Sequence, residues 1–392
     1  MNLAPAALDR AKKRGFTVTE SAKLGQTQGV VVRLQPPPGM SAAAARKLLE
    51  QQGLSGQLGF NQPYRLFRSA NAADKGHPGT EKSPTGQAQG VRPAGPGPCA
   101  ADRCYGPVMI GWQPKLVTCS RGLAIGMIDT AVDEAHPAFF GRKLKVWHYR
   151  PDARLATPQW HGTGVLSVLA GDPRSGTPGL IPDASFSVAN VFFNDPQGEL
   201  ASDTFGLLQA IDWLEERKVR VINMSVAGPN DELLLGAIER LSAKGVVFVA
   251  AAGNGGPTAA PSYPAAYQMV VAVTAVGRDQ RNFAGATRGD YIDVAAPGVQ
   301  IWTALPGIKE GFLTGTSFAT PYATAVLATL YPQAPQKTKN GLLEILTTTD
   351  LGPPGRDPIY GRGLLRAPEA CGSAPAAPMA SANVRATPVR MP

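Results

Sequence analysis

A chain of 392 residues with 43% hydrophobic content can bury a full core and a second small unit, which excludes a disordered or fibrous chain. Its formal net charge of +9 is uneven, since residues 1–100 carry 13 Lys+Arg against 5 Asp+Glu while the remainder is close to neutral. The basic residues are scattered and lack an aromatic-interleaved basic motif, so they read as a solvated surface and speak against a nucleic-acid partner; no apolar run reaches the length of a membrane span.

Taken in chain order, the N-terminus "MNLAPAALDRAKKRG" lacks the apolar stretch of a signal peptide. Residues 1–70 read as a small α+β unit. "GFTVTESAKL" and "GVVVRLQPP" have strand patterns, "SAAAARKLLEQQ" a helical one, and "GQLGFNQPYRLF" that of a closing strand. Residues 71–102 are dense in Gly and Pro with few large apolar residues, the composition of a linker. Over 103–371, short runs such as "LAIGMI", "SFSVANVF", "VRVINM", "GVVFVAA" and "MVVAVTAV" alternate with amphipathic stretches such as "DTFGLLQAIDWLEERK". Strands apolar throughout and separated by helices predict an α/β domain with a mainly parallel sheet covered on both faces. The tail 372–392 has no periodicity and is expected to be loose.

Four cysteines are present: Cys99, Cys104, Cys119 and Cys371. "CAADRC" has a spacing that zinc could use, but no second cysteine pair or histidine cluster completes a site, so no metal is expected. An even count fits disulfides, with three connectivities open, and points outside the cytoplasm.

In such a sheet the ligand sits outside the carboxyl ends of the strands. Asp129 ends "LAIGMID", Asn223 ends "VRVIN", and Asn254 follows "GVVFVAAAG". Of four histidines (His77, His136, His148 and His161), His161 alone opens a helix, in "QWHGTGVLSVLAG", with Gly162 leaving space for a close backbone approach. In "FLTGTSFATPYAT", Ser317 lies at a helix start after Gly315, with Pro321 expected near the first turn, where a missing N–H costs little. By itself that serine reads as a cap more readily than as a nucleophile.

Together, "GMIDTAVDEAHP", "HGTGVLSVLAG", "VINMSVAGP", "VAAAGNGG", "DVAAPG" and "GTSFATP" resemble, in order and rough spacing, the motifs of the subtilisin-like serine proteases, the subtilases. The resemblance implies a three-layer subtilisin-like fold and a serine endopeptidase without cofactor. Ser317 would be the nucleophile, His161 the base, Asp129 its orienting acid and Asn254 an oxyanion donor. Ser225, Val226, Ala227 and Gly228 would form the edge that receives a protein or peptide substrate as an added strand. Ala251, Ala252 and Gly253 would line the pocket nearest the cut, with Ser262 near its floor.

Departures from the family pattern are Gly164 for a usual histidine, Ala131 and Ala227 for usual glycines, and Tyr322 for a usual histidine. "AGDPRSGTPGLIP" is poor in oxygen-bearing side chains, which speaks against the family's calcium. Residues 1–70 resemble a pro-region, which implies an intramolecular inhibitor removed by self-cleavage within 66–98, and a secreted or periplasmic zymogen. Two rivals stand beside this reading: a catalytically silent subtilase fold acting as a binding module, and a cytoplasmic protease.

Overall fold

The structure is a computed structural model that describes residues 5–25, 29–54, 58–66, 89–93, 103–149, 157–195, 199–334 and 336–371. In the N-terminal unit, α1 (Pro5–Lys13) is followed by β1 (Thr17–Leu24) and β2 (Gly29–Gln35), which pair antiparallel. Then comes α2 (Ala42–Leu49), where the Ser41 side chain caps the helix by accepting from the Ala44 N–H at 3.2 Å. Ala11, Phe16, Ala45 and Leu49 make the small core between them.

The expected closing strand takes a different course. Among the described residues of that stretch the strand is Pro63–Tyr64 (β3), which joins the larger domain's β9 and not β1 or β2. Tyr64 is instead fully buried in the core of the larger domain, among residues such as Val226 and Leu234. Within the expected linker, Gln89–Pro93 (β4) is also extended.

The larger domain begins with α3 (Tyr105–Met109), β5 (Ala124–Asp129), β6 (Lys143–His148), α4 (Trp160–Ala170) and β7 (Ser185–Asn190). β8 (Phe193–Asn194), β9 (Leu200–Asp203), α5 (Thr204–Glu216), β10 (Val221–Met224), α6 (Glu232–Ala243), β11 (Val247–Ala251) and β12 (Val270–Val276) follow. The chain continues through β13 (Val294–Pro297), β14 (Ile301–Leu305), β15 (Lys309–Leu313), α7 (Thr316–Leu330), α8 (Lys339–Ile345), β16 (Thr348–Thr349) and β17 (Leu364–Leu365).

The main sheet has nine strands in the order β16-β17-β13-β12-β11-β10-β5-β7-β6, and only the β16–β17 pair is antiparallel. Because both faces are covered, strand residues are apolar in both phases. Val247 and Val249 of β11 join the core under α4 and α7, whereas Phe248 and Ala250 join the core under α5 and α6. This is the expected three-layer α/β arrangement. From β5 the sheet grows one way through β7 and the other way through β10, so the carboxyl ends of β5 and β10 flank a topological switch point. β4 pairs antiparallel with β15, adding a third strand to the β14–β15 hairpin that leads into α7. A disulfide joins Cys119 to Cys371, and Cys104 is disulfide-bonded as well. The proposed tail, 372–392, and most of the proposed linker lie outside the described residues.

The two units meet along a charged rim. Arg33 pairs with Asp203, the Gly25 N–H donates to Asp212 at 2.7 Å, and Arg46 reaches Glu232 at 2.8 Å. The uneven charge of the sequence thus has a physical use: basic residues of the N-terminal unit face carboxylates of the larger domain. Inside this rim lies a cavity of about 620 Å³ lined by Phe16, Leu34, Leu49, Phe60, Leu208 and Leu233 among others.

Candidate active site

Asp129 is the last residue of β5 and is fully buried. Its Oδ1 lies 2.6 Å from Nδ1 of His161 and also accepts the Thr130 N–H at 2.7 Å. With a carboxylate facing it, Nδ1 carries the proton and Nε2 is left as the acceptor. His161 is the second residue of α4, and the helix can come this close because residue 162 is glycine. A Cβ there would stand 2.6 Å from the carbonyl oxygens of both Thr130 and Ala131. The Gly162 N–H donates to Thr130 Oγ1 at 2.9 Å, tying the helix start to the turn that carries Asp129.

Ser317 is the second residue of α7 and is buried, with the ring of Phe318 tilted against that of His161 at a centroid distance of 5.2 Å. Its hydroxyl makes no hydrogen bond, so the serine–histidine bond is not formed in this rotamer. A hydroxyl that caps nothing has no visible structural task at this helix start. Pro321 lies inside α7, one turn later than expected, so the Ser317 carbonyl loses an intrahelical partner. All fifteen residues of α7 are buried, and packing on every side of the helix outweighs that local cost.

Asn254 follows β11, and its amide orientation is fixed by Thr316. Asn254 Oδ1 accepts from the Thr316 N–H at 3.0 Å and from its hydroxyl at 2.9 Å, while that hydroxyl accepts the Gly253 N–H at 3.2 Å. The Nδ2 donor is thereby turned to the other side, beside Gly315, where a Cβ would stand 2.9 Å from it. Thr316 and Thr130 are positioning residues that the sequence reading did not single out. Their only signal was adjacency to Ser317 and Asp129. Asn223, the third strand-end candidate, accepts from the Thr324 hydroxyl at 3.1 Å and faces Ser225 Oγ, so it braces α7 and stays out of the Asp129–His161 pair.

The cleft edge is already occupied. The Arg65 N–H donates to the Ala227 carbonyl at 2.8 Å and the Arg65 carbonyl accepts the Ala227 N–H at 3.0 Å, while β3 pairs with β9 on its other side. Residues 63–66 therefore lie as an added strand between 200–203 and 225–228. Gly228 pairs with Tyr263 through reciprocal 3.0 Å bonds, and a Cβ on Gly228 would meet the Tyr64 ring at 2.4 Å. Burial pushes the Tyr64 hydroxyl well above its ordinary pKa, so it stays a neutral donor. Ser225 and Val226 are buried, with the Ser225 N–H donating to the Ile128 carbonyl at 3.1 Å. Ala251 ends β11, and the Ala252 carbonyl accepts the Tyr291 hydroxyl at 2.7 Å, with the Ser262 backbone near that hydroxyl.

Two departures from the family pattern have local explanations. A Cβ on Gly164 would stand 2.7 Å from Leu313 and 3.2 Å from Phe318, so these side chains fill the space of the missing histidine. Tyr322 is buried over Gly106, where a Cβ would fall 2.2 Å from its hydroxyl. In the 171–181 loop the one carboxylate, Asp172, is bound by Arg174 at 3.2 Å and by Arg142 at 3.5 Å. Hydrogen bonds from Arg174 hold that carboxyl below its usual range. A carboxylate already neutralised by two guanidinium groups is a poor calcium ligand, so the donor set does not fit the ion. Among the described residues no cluster of three or more metal-ligating side chains occurs.

The model of the Subtilase family matches residues 120–363, which contain Asp129, His161, Asn254 and Ser317. Thermitase of Thermoactinomyces vulgaris is 32% identical over 246 residues, covering 60% of this chain and 85% of its own. The minor extracellular protease Epr of Bacillus subtilis is 34% identical over 210 residues, which are 53% of this chain but 32% of Epr. Among solved structures, the prenylagaramide maturation protease PagA superposes with a TM-score of 0.55 at 26% identity, over 65% of this chain and 96% of its own. The motifs at the strand ends, the nine-stranded sheet and these relatives agree: the chain belongs to the subtilase family of serine proteases.

Proposed function

We propose that the protein is a serine endopeptidase in which Ser317 attacks the peptide carbonyl and His161 Nε2 takes its proton. His161 then returns that proton to the leaving amine. Asp129 holds Nδ1–H and stabilises the imidazolium as it forms. The oxyanion is received by Asn254 Nδ2 and the Ser317 N–H, an orphan donor of the first helical turn. The observation that carries this reading is the buried 2.6 Å Asp129–His161 contact, because a desolvated carboxylate on an imidazole supports a base and has no evident packing role.

The N-terminal unit acts as an intramolecular inhibitor. Its segment 63–66 follows the path that an added substrate strand would take, and the charged rim holds the unit over the cleft. A tethered strand at high effective concentration favours cutting in cis, within 66–98. Disulfides at Cys119–Cys371 and Cys104 fit maturation outside the cytoplasm. Among the described residues no helix is long and apolar enough to cross a membrane.

The test is to express wild type and Ser317→Ala side by side, read intact masses, and treat both with a fluorophosphonate probe. Wild type should lose the N-terminal unit and be labelled, and Ser317→Ala should do neither. Identical masses and no labelling of either protein would refute the proposal.

A further inference from the structure

We propose that Asp195 makes this cleft select a cationic side chain on the substrate residue that pairs with Ala227. The proposal rests on the proteolytic reading above for the claim that substrates follow the path of residues 63–66. That path is fixed at one register point by the reciprocal Arg65–Ala227 bonds of 2.8 and 3.0 Å. Side chains alternate along an extended strand. Tyr64 therefore enters the core beneath Gly228, and Arg65 is thrown to the other side. There Nη1 meets two acceptors, Asp195 Oδ2 at 3.2 Å and the Leu200 carbonyl at 3.3 Å.

The acceptor pair is built into the larger domain and does not depend on the N-terminal unit. Asp195 Oδ1 accepts the Glu199 N–H at 2.8 Å, and the Asp195 N–H donates to the Glu199 carbonyl at 2.9 Å, so the residue after β8 is tied to the residue before β9. The Asp195 side chain is 15% exposed against 49% for Arg65, so the negative partner is the pre-set one and the cation comes to it. Arg65 lies outside the small core of its own unit and reaches the larger domain through these contacts. Any strand in the same register carries its corresponding side chain to the same place. A glutamate there would set one carboxylate against another.

Partly exposed ion pairs are weak, so the expected preference is about two- to fivefold for Arg over Ala, with Glu below Ala. In the first arm, the self-processed enzyme is given fluorogenic peptides carrying the sequence of residues 63–67, with Arg, Ala or Glu at the position of Arg65. Wild type should rank kcat/KM as Arg, then Ala, then Glu; Asp195→Asn should level the series and Asp195→Lys should invert it. Equal rates for Arg and Glu peptides, or a ranking unchanged by Asp195→Asn, would overturn the proposal. The second arm needs no catalysis. In full-length Ser317→Ala, Arg65→Glu should lower the hydrogen-exchange protection of 63–66, and adding Asp195→Lys should restore it. Absence of restoration would also overturn the proposal. Restoration together with no hydrolysis of any peptide would refute the proteolytic reading while leaving the charge preference standing.

Discussion

Replacing Thr316 by valine keeps its shape and removes one hydroxyl that serves two partners. In the structure that hydroxyl donates to Asn254 Oδ1 at 2.9 Å and accepts from Gly253 N–H at 3.2 Å. The loss removes a net hydrogen bond, about 0.5–1.5 kcal/mol, and leaves a buried N–H unpaired at about 1–3 kcal/mol. Together these give a stability cost of roughly 1.5–4.5 kcal/mol. Catalysis should suffer separately. Complete loss of an oxyanion donor costs about 10²–10³ in kcat, a value established on subtilisin. In Thr316→Val the Thr316 N–H still holds Asn254 Oδ1 at 3.0 Å, so the amide keeps one of its two anchors. The expectation is a roughly tenfold fall in kcat, about 1.4 kcal/mol, with KM unchanged. Steady-state hydrolysis of a chromogenic peptide by the processed enzyme measures it. Thr316→Ser should recover the rate, and Thr316→Val should add nothing in an Asn254→Ala background. If Thr316→Val keeps its kcat, or slows the Asn254→Ala enzyme just as much, the positioning argument is wrong.

Gly162→Ala would drive a methyl to within 2.6 Å of two backbone carbonyls, so we expect about 1–3 kcal/mol of destabilisation and a large fall in kcat as α4 moves from Asp129. Thermal unfolding and kinetics on the same variant test both, and a stable variant of normal activity would contradict the close-approach argument. The paired change Cys119→Ser with Cys371→Ser opens a loop closed across 252 residues and should cost about 2–4 kcal/mol, read from denaturant midpoints. An unmoved midpoint would show that the bridge is dispensable. A chelator should leave Tm where it is, because Arg142 and Arg174 already neutralise Asp172; a drop in Tm reversed by added calcium would refute that.

The layered sheet was legible in the sequence because strands buried on both faces are apolar in both phases, as Val247 to Ala250 are. The position of Asp129 at the end of β5 was legible for a related reason. A single Asp at the end of "LAIGMID" stands out against an apolar strand, and its place at a sheet edge follows from the architecture. What escaped was non-local. "NQPYRLF" has the pattern of a strand, but nothing in it says that Tyr64 would leave its own unit and fill the space above Gly228. Likewise β4 shows no strand signal in a stretch rich in Gly and Pro, and its pairing with β15 comes from an edge more than two hundred residues away. The role of Thr316 depends on the direction of one amide, which residue types alone do not encode. Gly164 looked like a lost histidine, whereas in the fold it is room for Leu313 and Phe318.

The cavity between the N-terminal unit and α5 and α6 has a kinetic consequence. About 620 Å³ at the centre of that contact is unfilled by side chains, so the two bodies hold each other mainly by their margins: the ion pairs of Arg33 and Arg46 and the short pairing of β3. Margins of that kind come apart piece by piece. Ion pairs exchange with salt and an added strand exchanges with another strand, which leaves the buried Tyr64 ring as the close-packed anchor to be withdrawn. If the chain is cut as proposed, the unit's departure becomes a question of residence time, which ionic strength and competing peptide can shorten.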